Sequence, residues 1–333
     1  MDEMDFTQAV VRTRVLETRL LSRAIIDRMV EAEDIDEVIR ILRETEYAQS
    51  IEGLARAEEY EKILSAELKR VYETMYDITE EKVVVDLLAL KYDYHNLKVL
   101  VKEKFLQRDL KDIYIPIGTT DFQQLKTDYL SGNLKSMDSR FIKALDAVIA
   151  DFEETKDPQR IELILDRYYF RHLYELAEGT EVSLFMDYVR DLIDLTNIRT
   201  LIRLKKQGKD IKFLEEALIP DGNISIENIV LSLNDSVDII MNKFERYNVG
   251  PRVRKGLESY QQTGRLSAFE IEMDDYITDL NRQSKFIMFG PEPVFAYVVA
   301  KETEIKILRI IMVSKLNKLS PDTIRERLRD LYV

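Results

Sequence analysis

One string of residues occurs twice, and that repetition limits what this chain can fold into more than any other feature. Asn96-Leu97-Lys98-Val99-Leu100-Val101-Lys102 returns as Asn197-Ile198-Arg199-Thr200-Leu201-Ile202-Arg203, an offset of 101 (197 − 96). Upstream, Asp86 with Asp187 and Asp93 with Asp194 keep the same spacing. Downstream, Ile115-Pro116-Ile117-Gly118 is answered by Ile219-Pro220-Asp221-Gly222, so both copies end on the same helix-stopping turn. A fainter third copy begins at Glu304, an offset of 107 (304 − 197): Ile305, Lys306 and Leu308 match Leu97, Lys98 and Leu100. There Arg309 stands where Val101 and Ile202 are apolar. Units of this length exceed the period of helical-pair solenoids, roughly 34–47 residues. They predict three copies of one small domain, spanning 1–115, 116–219 and 220–333.

Those domains are predicted to be all-α. Charged residues make up 33% of the 333 residues, Gly and Pro number only 10 and 7, and no proline precedes Pro116. The pairs Phe6/Val10, Val11/Val15, Leu16/Leu20 and Leu21/Ile25 are four apart and predict one amphipathic helix over 6–25. An acidic cluster follows, in which Asp34 and Glu37 form a capping box for a helix carrying Ile35, Val38, Ile39 and Leu42. Thr79, Asp157-Pro158 and Ser320-Pro321 are read as further helix starts. The alternating stretch Ile113–Ile117 is broken by Pro116 and Gly118, which makes it a connector rather than a strand.

Several function classes are excluded or weakened. A formal net charge of −13 argues against a general nucleic-acid binder, which needs a basic face. No apolar run reaches the roughly 18 residues of a membrane span, and Asp2, Glu3 and Asp5 replace the basic start of a signal peptide. The absence of cysteine removes thiol catalysis and thiolate metal sites and fits the cytosol. Asp274-Asp275-Tyr276-Ile277-Thr278-Asp279 has the look of a Mg²⁺-diphosphate motif from all-helical synthases. Its partner set is missing: Asn234-Asp235 precedes it, followed by Asp238 and Asn242 instead of a hydroxyl and a carboxylate. Among 62 acidic residues adjacent aspartates arise from composition alone. His95 has Thr196 at the equivalent place in the second copy, and His172 closes the aromatic run from Tyr168, so both are read as structural. Gly250–Gly256 holds glycines and bases without the Lys-Ser/Thr of a phosphate loop. No catalytic, cofactor or metal site is expected.

Charge placement is more informative. Between Asn197 and Lys212 stand Arg199, Arg203, Lys205, Lys206, Lys209 and Lys212, opposed only by Asp210. Lys98 and Lys102, with Lys104, Arg108 and Lys111, give a weaker echo in the first copy. A charge run is usually a solvated face, but a repeated basic band in an acidic chain is read here as a docking surface for an acidic partner. Arg199 and Arg203 share one helix face, while Ile198, Leu201 and Ile202 are expected to pack inside.

The run Gly290-Pro291-Glu292-Pro293-Val294-Phe295-Ala296-Tyr297-Val298-Val299-Ala300-Lys301-Glu302-Thr303-Glu304-Ile305-Lys306-Ile307-Leu308-Arg309 resembles the signature of the C (or d) subunit of V/A-type rotary ATPases. Asp93-Tyr94-His95-Asn96-Leu97-Lys98 is similar to the first repeat of that family. The resemblance extends over the whole chain in length, repeat count and placement of these strings. It implies three similar helical domains arranged as a funnel around a pseudo-threefold axis. It also implies a non-catalytic rotor subunit, one copy per complex, on the cytoplasmic side of the membrane. There the family member links the axle of the D and F subunits to the membrane rotor ring of proteolipid subunits. It transmits torque for ATP-coupled transport of H⁺ or Na⁺. An unrelated helical scaffold and a Mg²⁺-dependent helical enzyme remain the alternatives.

Overall fold

The computed structural model describes residues 1–333, the side chain of Lys135 excepted. Helices and short 3₁₀ turns make up its regular structure, and no strand occurs among the described residues. In chain order the first helices are α1 (Thr7–Glu17), α2 (Arg23–Glu31), α3 (Ile35–Leu42), α4 (Ala48–Ile51), α5 (Tyr60–Ile78) and α6 (Val83–Leu106). Next come α7 (Phe122–Ser131), α8 (Ser139–Thr155), α9 (Pro158–Thr180), α10 (Ser183–Gln207) and α11 (Ile211–Ala217). The remainder are α12 (Ile226–Leu231), α13 (Val237–Phe244), α14 (Gly250–Thr263), α15 (Ser267–Arg282), α16 (Glu292–Leu316) and α17 (Pro321–Arg325). They form two compact units: residues 86–257, and a second unit drawn from 2–85 and 258–333.

Local chemistry sets many of these boundaries. Asp34 accepts from Glu37 N at 2.9 Å, and the Glu37 carboxylate reaches back to Glu33 N at 2.7 Å, one residue earlier than a standard capping box. Asp157 caps α9 through Gln159 N at 2.9 Å with Pro158 in the first turn, and Ser320 caps α17 ahead of Pro321. At the end of α10 the chain turns left-handed at Gly208 (φ +66°), which a side chain would resist. The three longest helices, α6, α10 and α16, have 24, 25 and 25 residues. Each carries one copy of the repeated string and is apolar on most sides, as core helices must be.

Two expected boundaries are corrected. Residues 6–25 do not form one helix: α1 ends at Glu17 and α2 begins at Arg23. The backbone N–H of Leu21 is donated to Glu304 at 2.5 Å, so it cannot continue the ladder to residue 17. Val11 and Val15 are exposed, whereas Leu20 and Leu21 are buried in the strap between the two helices. Thr79 caps no helix start. It closes α5, donating its N–H to Met75 O, and α6 starts only at Val83.

Within residues 86–257, Tyr94 on α6 meets Phe141 on α8 and Tyr169 and His172 on α9, edge-on, with ring centroids 5.3, 5.7 and 5.9 Å apart. The core of the other unit interleaves both ends of the sequence. Val30, Val38, Leu42 and Leu64 share one buried cluster with Leu308, Ile311 and Met312.

Candidate docking surface and the clamps behind it

The repeated string has a mechanical meaning. Asn96 on α6 donates from Nδ2 to Ile115 O at 2.7 Å and accepts from Ile115 N at 2.9 Å. Asn197 on α10 makes the same pair with Ile219, again at 2.7 and 2.9 Å. One turn earlier, Asp93 accepts from Thr119 N and Oγ1 at 2.7 and 2.8 Å, and Asp194 from Asn223 N and Ile224 N at 3.1 and 3.0 Å. The connector after each helix is thus fastened back onto it. The Ile-Pro-x-Gly turn follows from this: the Asn reads the Ile backbone at both ends, and Pro needs no partner for a missing N–H. A Cβ on Gly118 or Gly222 would lie well inside contact with Asp93 Oδ1 or Asp194 Oδ1. Burial pushes the Asp93 carboxyl up to about 7 and Asp194 up to about 6, against the opposing pull of the donors from Thr119 and from Ile224 and Asn223.

The third copy uses different chemistry. Glu304 occupies the Asn position, and Lys301, three residues before it, occupies the position of Asp93 and Asp194. Glu304 Oε2 accepts from Leu21 N, while Oε1 takes the Tyr47 hydroxyl at 2.7 Å and Lys301 Nζ at 2.8 Å. Lys301 also meets Glu67 at 3.0 Å and Glu46 at 3.7 Å, and Arg70 balances those two carboxylates from 2.8 and 3.3 Å. Lys301 and Glu67 are fully buried. Burial alone would lower the lysine pKa, but Glu304 and Glu67 override it and raise it; Glu67 is held low, against burial, by Arg70 and Lys301. Sequence reasoning missed Lys301, Glu67, Tyr47 and Leu21 as one node. The available signal was a lysine closing the apolar run Val294–Ala300, in register with two aspartates.

The basic band rides on the clamped helices. Ile198, Leu201 and Ile202 are completely buried, and Arg199 and Arg203 lie on the adjoining face. These two arginines line a groove of about 550 Å³ together with Lys102, Glu162, Asp166 and Phe213. Lys102 is ion-paired with Glu162 and Lys98 with Asp166, so the first-copy bases meet the α9 carboxylates. Lys205 turns elsewhere and donates to Leu233 O at 2.7 Å. Lys206 and Lys209 are exposed, the latter 4.9 Å from the Phe213 ring centre.

Groups considered for chemistry are committed to structure. Asp274 accepts from Lys306 at 2.7 Å and Arg329 at 2.8 Å, and Asp275 from Asp330 N at 2.7 Å, so this acidic pair fastens the C-terminal segment. Burial pushes His172 down to about 4, with Arg140 adding to it, which keeps the ring neutral. His95 Nε2 lies 2.9 Å from Ile113 O. No helix of the described residues is long and apolar enough to cross a membrane.

The scaffold is all-α, with recurring buried polar clamps that lock connectors onto long helices. Residues 9–327 match the family described as ATP synthase (C/AC39) subunit, and the chain belongs to that family. It is 25% identical to the C subunit of the A-type ATP synthase of Methanocaldococcus jannaschii, over 99% of this chain and 88% of that one. It is 26% identical to the C subunit of the V-type sodium ATPase of Enterococcus hirae, over 97% of each chain. The C subunit of the A-type ATP synthase of Pyrococcus abyssi is likewise 26% identical, over 96% of this chain and 89% of that one.

Proposed function

We propose that the chain is a non-catalytic rotor component of the central stalk, joining an axle of the D and F subunits to the membrane rotor ring. One copy sits on the cytoplasmic side and passes torque between them. Its three repeats, 1–115, 116–219 and 220–333, form a funnel about a pseudo-threefold axis. The observation that carries this reading is the family match over residues 9–327, seconded by the pairing of each repeated string with a clamp. A torque coupling must resist shear, and buried two-point fastening of a connector to a long helix supplies that stiffness. The basic band on α10 fits an acidic partner surface, because charge complementarity orients an encounter and tolerates imprecise register.

The test is isolation of the native ATPase with the chain carrying Arg203→Glu, Lys206→Glu and Lys209→Glu. All three side chains are exposed, so helix content and melting should be unchanged. Single exposed pairs are worth only about 0–1 kcal/mol, but three reversals turn attraction into repulsion, and binding to axle or ring should weaken markedly at low salt. Failure of the wild-type chain to co-purify with axle or ring would refute the rotor reading. Unchanged binding of the triple variant at every salt concentration would leave the band a solvated face.

A further inference from the structure

The connector before each long helix breaks the repeat. Ahead of α6 it is Thr79-Glu80-Glu81-Lys82, and ahead of α10 it is Glu181-Val182, both short and without an aromatic residue. Ahead of α16 it runs from residue 283 to 291 and includes Phe286-Ile287-Met288-Phe289. Phe286 is 87% exposed, Met288 77% and Phe289 45%. This loop is firmly held. Arg14 Nη2 donates to Ser284 O at 2.6 Å and Ile287 O at 2.7 Å, while its Nη1 is fixed by Glu17. Gly290, at φ +104°, donates its N–H to Glu3 O. The N-terminal elements that hold the loop expose Met4, Val11 and Val15 as well. Aromatic and methionine side chains displayed on a preordered backbone are what protein interfaces use as anchors, since little freedom is lost when they are covered.

We infer that the Phe286–Phe289 loop, with the exposed face of α1, docks into an apolar recess rimmed by Lys or Arg on another polypeptide of the ATPase. The charge around the loop selects a protein over a bilayer. Asp2, Glu3 and Asp5 are exposed beside it and Glu292 lies next to Gly290, outnumbering the exposed Lys285 within the loop and Arg12 on α1, which is paired with Asp77. Such a border repels the anionic headgroups that attract peripheral proteins and attracts a basic rim. The inference rests on the chain's place in an ATPase assembly. Because only the third repeat carries this loop, it gives a threefold-repeated chain one distinguishable attachment point.

The experiment uses the full chain in the assembled complex. The double variant Phe286→Ser/Met288→Ser should melt like wild type, as both side chains are already in water, yet be retained in the purified complex at least tenfold less well. In parallel, Phe286→p-benzoylphenylalanine should photo-crosslink to a polypeptide of the complex. Retention of the double variant at the wild-type level overturns the inference, and so do adducts with lipid alone or with nothing. If the wild-type chain itself fails to co-purify, the proposed function fails first. If it co-purifies and the loop variant does too, only the docking loop is refuted.

Discussion

Replacing Lys301 by methionine isolates the chemistry of the third clamp. The side chains are similar in volume, so the change removes a charge rather than a shape. Lys301 lies within 3.0 Å of both Glu67 and Glu304, and all three are buried. Without it Glu67 retains Arg70, but Glu304 keeps only the Tyr47 hydroxyl and Leu21 N–H. Breaking a buried pair by removing one partner costs about 3–5 kcal/mol, and a carboxylate stranded in this way takes up a proton at higher pH. A pH response should therefore appear where the wild type has almost none. In the wild type, Glu67 is shifted down, so its contribution is full above the ordinary carboxylate range and is lost in acid. Lys301 is shifted up, so its contribution is full below the ordinary lysine value and is lost only in strong alkali. Between pH 5 and 9 this node should add almost no slope. In Lys301→Met the buried carboxylates have lost their shared cation, so stability should recover as pH falls towards the carboxylate range. Adding Glu304→Gln should restore about half of the loss by removing the unpaired charge. Urea melts at pH 5, 7 and 8.5 measure all of this. A single variant within about 0.5 kcal/mol of wild type, with no pH slope, would refute the account of the node as a mutually dependent ion cluster.

Other consequences can be checked in the same way. Asp93 is shifted up to about 7, so the folded state holds a proton that the unfolded chain releases near pH 4; stability should decline as pH rises from about 4 to 7, and Asp93→Asn should flatten that slope in urea melts across the range. Gly222→Ala should cost about 2–4 kcal/mol, because its Cβ meets Asp194 Oδ1 and lies 3.0 Å from Ile193 Cγ2, whereas Gly179→Ala, with open space around it, should be neutral or stabilise by about 0.5 kcal/mol. Mg²⁺ and ATP should each leave the melting temperature unchanged beyond a salt effect, since Asp274 is taken by Lys306 and Arg329; a specific ligand at a hundredfold excess over its Kd would add about 2.7 kcal/mol.

What could be read in advance depended on whether a contact was local in sequence. The first two clamps join Asn96 to Ile115 and Asn197 to Ile219, nearby in sequence, so the repeated strings marked these segments as one recurring unit ending on the same turn, although not the hydrogen bonds that close it. Buried faces followed from helical spacing, and Ile198, Leu201 and Ile202 are fully enclosed as that spacing predicts. The third clamp was hidden for two physical reasons. Its connector is supplied by Leu21, 283 positions away, and its polar pair is Lys-Glu instead of Asp-Asn. The same long-range bond misled the reading of residues 6–25, where an unbroken helical periodicity covers a strap that tertiary hydrogen bonding pulls straight. Lys205 faces Leu233 because an outward lysine on α10 found a nearby carbonyl, which charge patterning does not encode. Arg309, the oddity of the third copy, sits half-buried against Glu61 where Val101 and Ile202 are fully buried.

The bond from Leu21 to Glu304 also governs the order in which the molecule can come into being. Residues 86–257 are one continuous stretch, so a ribosome releases everything that unit needs before synthesis ends. Residues 2–85 emerge before it and must wait, because the helix that fills their core, α16, is made only after the whole of 86–257. During that interval Ile26, Met29, Val30, Val38 and Leu42 lack the apolar partners they will later cover. The unit begun before the middle one is therefore completed, and made safe from aggregation, after it. A premature stop after about residue 290 would leave residues 86–257 intact and strand residues 2–85, so damage on one side of the middle unit would appear on the other.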